Sequence, residues 1–374
     1  MTSGSSSAFE NTPALRNQNA PANRLSPRHR RSAGAVLVLL VVLATFLANR
    51  LAGRGSSEVQ LAGETMGTIY NIKFLASRDS WNATAKSRIE TDIADTLEEV
   101  NRRMSTWLPD SELSRLNRSQ VGEPFALSAE TFAVFQAALE VSKCSGGAFD
   151  ITVGPVVNAY GFGPGPDHYT EPDPEILEHL AEAVGYQKLL IEPAVSTVIR
   201  THDGMYCDLS AIAKGYGVDR VSAVLEQHGI DNYMVEIGGE IRLKGRRENG
   251  RLWRIAVEKP VGQGRTLQRI MELTDVSIAT SGDYQNYFVR DGRRISHTID
   301  PRTARPVDHT LASVTVLHEQ CMWADAWATA LMVLGPLEGF EVAEREQLAA
   351  LFLIRHDDTT IQARSTSAFE AYHR

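Results

Sequence analysis

Two oxygen-bearing side chains lie one helical turn apart in CMWADAWATALMVLG, residues 321–335: Asp325 and Thr329. The segment is otherwise apolar enough for burial, and a buried carboxylate is costly unless it is paired or holds a metal ion. The plain alternative is an aspartate favoured by the helix dipole, with Thr329 bonding back to a carbonyl. Other stretches also carry residues that a core does not need. CDLSAIAKGYG sets Asp208, Ser210 and Lys214 where a strand gives way to a helix, a junction whose amides and lysine can meet an anion. GGAFDITVGP places Asp150 between a glycine pair and an apolar strand, ETMGTIY surrounds Met66 with Thr65, Gly67 and Thr68, and ISHTIDPRT supplies His297. Each has an ordinary explanation when taken singly: Asp208 caps a helix, Gly146-Gly147 stops one, His297 satisfies a core hydrogen bond and Lys214 is solvated. Together they offer oxygen ligands, a cation and a base, without a Cys/His cluster. That set suits Mg²⁺ or Ca²⁺ holding a phosphate better than Zn²⁺.

These residues need a scaffold, and the hydrophobic spacing supplies one. In IETDIADTLEEVNRRMS, Ile89, Ile93, Leu97, Val100 and Met104 recur at helical intervals and predict one buried face. A second helix is predicted through SAETFAVFQAALEVSKCSGG, capped by Ser128 and stopped by Gly146-Gly147. GPGPDHYTEPDPE reads as a surface loop, with Pro174 in the first turn of a short helix ending near Gly185. STVIRTHDGMYCDLS and NYFVRDGRRISHTID read as hairpins turning at Asp203-Gly204 and Asp291-Gly292. YGVDRVSAVLEQHG is helical in pattern and precedes the strands NYMVEIG, EIRLKG and WRIAVEK. The chain closes with the 321–335 helix, a second helix from Leu337 and the strand LAALFLIRH. Hairpins mixed with helices predict an α+β fold rather than a regularly alternating parallel sheet.

The 374 residues, 43% hydrophobic and 22% charged, suffice for a large core. The net charge of −8 is uneven: residues 1–58 hold seven Arg against Glu10 and Glu58, a balance of +5, so the remainder carries −13. An acidic body argues against nucleic acid as a partner. Residues 1–31 read as a disordered N-terminus rich in Ser, Asn, Pro and Ala. Arg28, Arg30 and Arg31 precede an apolar run, and residues 32–49 are expected to be a signal-anchor. The positive-inside rule then leaves the N-terminus in the cytoplasm and sends the body across the membrane. No small-x-small processing site lies beside the run, which favours an uncleaved anchor. Residues 50–59 are read as a linker and 60–374 as the folded domain. Cys144, Cys207 and Cys321 are scattered and show no metal or disulfide pattern.

The chain resembles the ApbE family, the FAD:protein FMN transferases. The resemblance is carried by TMGT, MSTW, DSELSRLN, FDITVGPVVNAYGFGP, DLSAIAKGYGVD, VEIGGEIR, WRIAVEKP, IATSGDYQNYF, SHTIDPRT and ADAWATALMVLGP, in family order over about residues 60–335. It implies mixed and antiparallel sheets with flanking helices in two lobes, and FAD bound between the lobes. Met66 falls at a flavin-contacting position and Trp107 at an aromatic one, while Ala148, Phe149 and Asp150 match a contact segment. Asp208, Lys214 and Ile299 fall at further FAD positions, and the Ala211 carbonyl, Asp325 and Thr329 at those of a magnesium ion. The implied reaction moves FMN from FAD onto a Thr or Ser hydroxyl of another protein and releases AMP. His297 is the candidate base, since imidazole titrates near neutrality. The family's acceptors include subunits of sodium-pumping NADH:quinone reductase and of Rnf-type complexes. Bacterial relatives often carry a lipobox cysteine, whereas the first cysteine here is Cys144, which leaves the apolar segment as the expected tether to the inner membrane. The competing readings are a FAD pyrophosphatase, with water in place of the acceptor, and a FAD-binding carrier without turnover.

Overall fold

The stretches SSEVQLAGET and TIYNIKFLAS form β1 (Ser56–Thr65) and β2 (Thr68–Ser77), which fold back on each other at Met66-Gly67 with Thr65 opposite Thr68. This is a computed structural model, and it describes residues 55–79, 81–164, 171–259, 266–283, 287–290, 293–357 and 360–373. The hairpin opens an antiparallel meander that continues with β3 (Tyr233–Ile237), β4 (Glu240–Lys244), β5 (Val276–Gly282), β6 (Leu311–His318), β7 (Ala349–Arg355) and β8 (Ile361–Ser365). Each strand pairs antiparallel with the next, so spatial order equals chain order. The helices and smaller sheets enter as insertions between these strands, the longest between β2 and β3. This is the mixed α+β architecture expected, and Ser56–Arg374 packs as one compact unit.

Four helices shape the site and its surroundings. α1 (Ala83–Met104) buries Ile89, Ile93, Leu97, Val100 and Met104, the five positions its spacing marked. α2 (Ala129–Cys144) starts at Ser128, whose hydroxyl accepts from the Thr131 N–H, and stops where Gly146 and Gly147 turn left-handed. α3 (Ala213–Gln227) leads directly into β3, and α4 (Cys321–Arg345) follows β6. α4 breaks at Gly335, φ 77°, where Pro336 restarts it. A side chain at Gly335 would put its Cβ 2.8 Å from the His309 ring, so glycine is required there for space as well as for φ. The first part of α4 is buried nearly all round: Ala324, Ala326, Ala328, Ala330, Leu331 and Met332 are fully covered. It lies against β5 and β6 in the largest hydrophobic cluster.

Several expectations change on contact with the fold. β1 begins at Ser56, inside the stretch read as a linker, so the folded body starts earlier than residue 60. No hairpin turns at Asp203-Gly204. Thr197–Arg200 pairs instead with Leu189–Glu192 on one side and Phe125–Ala126 on the other. Beyond Gly204 the chain enters the core, where the Asn117 side chain receives the Cys207 N–H at 2.7 Å and donates to the Cys207 carbonyl at 2.8 Å. An amide from 90 residues upstream thus replaces the expected strand partner. The other hairpin forms between Tyr287–Arg290 and Arg293–Ser296, while its turn residues 291–292 lie outside the described residues. The disordered segment and the anchor, residues 1–49, also lie outside them. Among the described residues no helix is long and apolar enough to cross a membrane.

Candidate active site

Two turns, a strand end and a helix start meet at one end of the meander. Met66-Gly67 joins β1 to β2, Gly238-Gly239 joins β3 to β4, and Ser281 lies near the end of β5 on the same side. α3 begins here as well. A Cβ on Gly238 would lie 3.0 Å from Thr68 Cγ2 and 3.4 Å from Lys214 Cδ, which places the lysine stem against both turns. Met66 has φ 50° and Gly67 φ 70°, a tight turn of the kind that favours Asn-Gly. A left-handed methionine is strained, and such strain collects at functional sites. The Met66 thioether methyl reaches back over α3, 2.9 Å from where a Cβ on Gly217 would stand.

Asp325 is 3% exposed and faces α3 rather than its own helix start. Its Oδ2 accepts the Gly215 N–H at 2.9 Å, one of the orphan donors of the first turn of α3. In a regular helix that N–H would bond the Ala211 carbonyl. Here, among the described residues, no backbone donor reaches that carbonyl, and it is left as a hard-oxygen donor. Thr329, one turn further along α4, places its hydroxyl 3.3 Å from that of Ser281. Of the side-chain oxygens expected to hold a metal, that of Asp325 thus faces the first turn of α3 and that of Thr329 faces Ser281. Among the described residues no three His, Cys, Asp or Glu side chains gather into a metal-binding group, so a metal here would rest on one carboxylate and neutral oxygens.

Lys214 Nζ donates to Glu240 Oε1 at 2.5 Å and lies 3.9 Å from Asp325 Oδ1. Burial would lower the lysine pKa, yet the Asp325 and Glu240 carboxylates hold it above its ordinary value. Burial raises both acids, Glu240 to about 7, with Lys214 opposing the shift. Glu240 is 4% exposed, and its Oε2 has no hydrogen-bond partner among the described residues.

A second group assembles around Asp150, buried together with Ala148 and Phe149. Asp150 Oδ1 accepts from the Thr152 N–H and hydroxyl at 2.8 and 2.6 Å, and Oδ2 accepts the Tyr186 N–H at 2.6 Å. Both oxygens are thus engaged in shaping the loop, and burial raises the pKa. Asp208 lies alongside: its N–H donates to the Ile151 carbonyl at 2.7 Å, and its Oδ1 accepts from the Ser210 N–H at 2.8 Å. Its pKa is also raised by burial. Ile299 is buried with Val156, Tyr160 and Ala304. His297 is half-buried, its ring edge-on to Phe162 with centroids 6.3 Å apart. Trp107 is 59% exposed, an indole face open to a ligand.

The cysteines stay out of this chemistry. Cys144 ends α2 and Cys321 begins α4, and burial raises all three thiols, Cys207 to about 12. Sequence reasoning missed Glu240, Gly215, Ser281 and Asp219. Asp219 Oδ1 and Oδ2 accept the first two N–H groups of α4, from Cys321 at 3.0 Å and Met322 at 2.9 Å, so α3 caps α4 as α4 caps α3. The only local mark of Glu240 is its place immediately after Gly-Gly, which says nothing of its partner.

Fold and site together define a class: an α+β enzyme with a half-buried, carboxylate-paired lysine and hard oxygen donors at one end of an antiparallel sheet, suited to a phosphate-bearing substrate. The chain belongs to the ApbE family, whose sequence model matches residues 66–352. The FAD:protein FMN transferase of Vibrio cholerae is 47% identical over 319 residues, covering 85% of this chain and 94% of that protein. That of Haemophilus influenzae is 42% identical over 336 residues, covering 88% and 96%. Among solved structures, flavin transferase ApbE from Vibrio cholerae superimposes with a TM-score of 0.77 at 44% identity, over 84% of this chain and 99% of that one. The apo form of Pseudomonas stutzeri flavinyl transferase ApbE gives 0.77 at 35% identity, over 85% and 97%.

Proposed function

We propose that this chain transfers FMN from FAD to a Thr or Ser hydroxyl of acceptor flavoproteins, with Mg²⁺ as cofactor and AMP as the second product. The observation that carries the reading is Lys214, half-buried at the start of α3 with its ammonium 3.9 Å from the buried Asp325, in a chain of this family. FAD would contact Met66, Trp107 and Lys214 together with Ala148, Phe149, Asp150 and Ile299. This follows the two-lobed arrangement that the family resemblance implies. Met66 and Trp107 offer apolar surface to the ring system, and Lys214 and Asp208 meet the polar middle of the nucleotide.

Bound Mg²⁺ would be held by the Ala211 carbonyl, Asp325 and Thr329, and would neutralise charge on the pyrophosphate. The protein's own groups then do the positioning. The acceptor oxygen forms a bond to the FMN-side phosphorus, the bond from that phosphorus to the bridging oxygen breaks, and AMP departs with the electron pair. His297 takes the hydroxyl proton, leaving FMN joined to the acceptor through a phosphoester. The body works on the extracytoplasmic side of a bacterial inner membrane, tethered by residues 32–49. Its acceptors are of the kind found in sodium-pumping NADH:quinone reductase and Rnf-type complexes.

Incubation with FAD, Mg²⁺ and an acceptor carrying a flavinylation-type Thr tests the reading. Flavin fluorescence that stays with the acceptor after denaturing electrophoresis, with AMP released in equal amount, is the expected result. AMP and free FMN without labelled acceptor would make the chain a hydrolase, and neither product would make it a carrier.

A further inference from the structure

Lys214 is the one cation seen within ion-pair distance of both buried acids, Glu240 and Asp325, among the described residues, and its two contacts differ. At 2.5 Å the ammonium is hydrogen-bonded to Glu240, whereas 3.9 Å from Asp325 is an electrostatic contact only. Asp325 Oδ2 is taken by the Gly215 N–H, so Oδ1 is the oxygen left to receive a cation. An ammonium hydrogen-bonded there would compete with a divalent ion for the same lone pairs. Glu240 sits where it prevents this. It follows the Gly238-Gly239 turn on β4, is 4% exposed, and its Oε2 has no hydrogen-bond donor among the described residues.

We infer that Glu240 is a positioning residue: it holds the Lys214 ammonium off Asp325, which keeps Asp325 Oδ1 available to a divalent cation and leaves Lys214 oriented toward the substrate. The inference rests on the metal reading above and extends it to a residue outside the proposed ligand set. Without the charge of Glu240, the nearest buried anion to Lys214 is Asp325, and the lysine becomes an internal competitor for the metal. Removing the lysine as well removes that competitor.

Direct binding of Mn²⁺ to the FAD-free protein, read by its paramagnetic resonance signal, tests this without turnover. Glu240→Gln is expected to weaken Mn²⁺ binding by roughly tenfold or more, the scale of one charge-assisted contact. Lys214→Met is expected to bind Mn²⁺ at least as tightly as the unmodified chain. The double variant Glu240→Gln/Lys214→Met is expected to recover the affinity lost in Glu240→Gln, an outcome that loss of structure alone cannot produce. Unchanged binding in Glu240→Gln, or a double variant as weak as Glu240→Gln, would overturn the inference. Asp325→Asn serves as the control. If it binds Mn²⁺ like the unmodified chain, the metal reading itself fails; if it does not bind while Glu240→Gln binds normally, only the inference fails.

Discussion

His297 is half-buried with its ring edge-on to Phe162, and its proposed work is proton removal alone. His297→Ala should therefore bind FAD nearly normally while transfer slows by about 10²–10⁴-fold, the usual worth of a general base. FAD affinity by fluorescence quenching and single-turnover labelling of an acceptor separate the two, and a full transfer rate would remove His297 from the mechanism. Lys214 carries a different expectation, one about stability. Burial raises Glu240 from its ordinary 4.5 to about 7, so the folded protein holds more protons than the unfolded chain between those values. Stability from this group is thus lost as pH rises from about 4.5 to about 7 and then levels off. Lys214→Met deletes the cation opposing the shifts of Glu240 and Asp325, so both acids should titrate higher still. The variant should keep losing stability above about pH 7, by up to about 1.4 kcal/mol per pH unit for each extra proton held. Denaturant melts across the range from mildly acidic to mildly alkaline pH measure it, and parallel curves for variant and parent would contradict the pairing. The pairing of Glu240 was not legible in the sequence. It comes from a lysine on another element 26 residues earlier, and no local pattern reports that.

At the level of elements, α3 and α4 cap each other and touch closely. A Cβ on Gly215 would lie 2.4 Å from the Cys321 carbonyl oxygen and 2.8 Å from Asp325 Cβ, backbone and stem atoms that cannot swing aside. Gly215→Ala should force the helices apart, cost about 1–3 kcal/mol as overpacking does, and disturb the Asp325 contact at once. Thermal melting together with Mn²⁺ binding should show both losses; a stable variant with normal binding would mean the helices separate freely. Asp219→Ala removes the cap of α4 and leaves Arg242, paired with it at 2.8 Å, without that partner. A cost of about 0.5–2 kcal/mol is expected from the cap, measured as a lower denaturation midpoint. The helices themselves were largely readable. α1 repeats its apolar residues on one face, α2 carries a serine cap and a glycine stop, and α4 breaks where Gly335-Pro336 says it should. The false hairpin at Asp203-Gly204 shows where such reading ends. The Arg200 guanidinium donates to the Met205 carbonyl at 2.8 Å, and Asn117 supplies the bonds of Cys207, so the turn leads into the core and not into a second strand. Partners so distant in sequence leave no periodicity.

Over the whole molecule, charge and hydrophobicity divide the chain in the same place. The first 58 residues carry +5 and the only long apolar run outside the folded body, while the rest carries −13. The net acidity of the body gives it little attraction to an anionic membrane surface, and the apolar segment with its arginines is the proposed attachment. The same acidity would disfavour a dinucleotide with two phosphates if the site did not collect its own cations. Lys214 is the proposed local cation, and the Asp325 and Glu240 carboxylates beside it hold its pKa above the ordinary value against the opposing effect of burial. The apolar run ends near residue 49 and the first strand begins at Ser56. The prediction is that the full-length chain sediments with bacterial membranes, resists extraction by high salt and is released by detergent. A chain beginning at residue 55 should be soluble and retain FMN transfer. In intact cells with a permeable outer membrane, added protease should degrade the body and spare a cytoplasmic marker. Recovery of the intact chain in the soluble cytoplasmic fraction would overturn the tether and the orientation together, while leaving the chemistry of the Lys214–Asp325 site untouched.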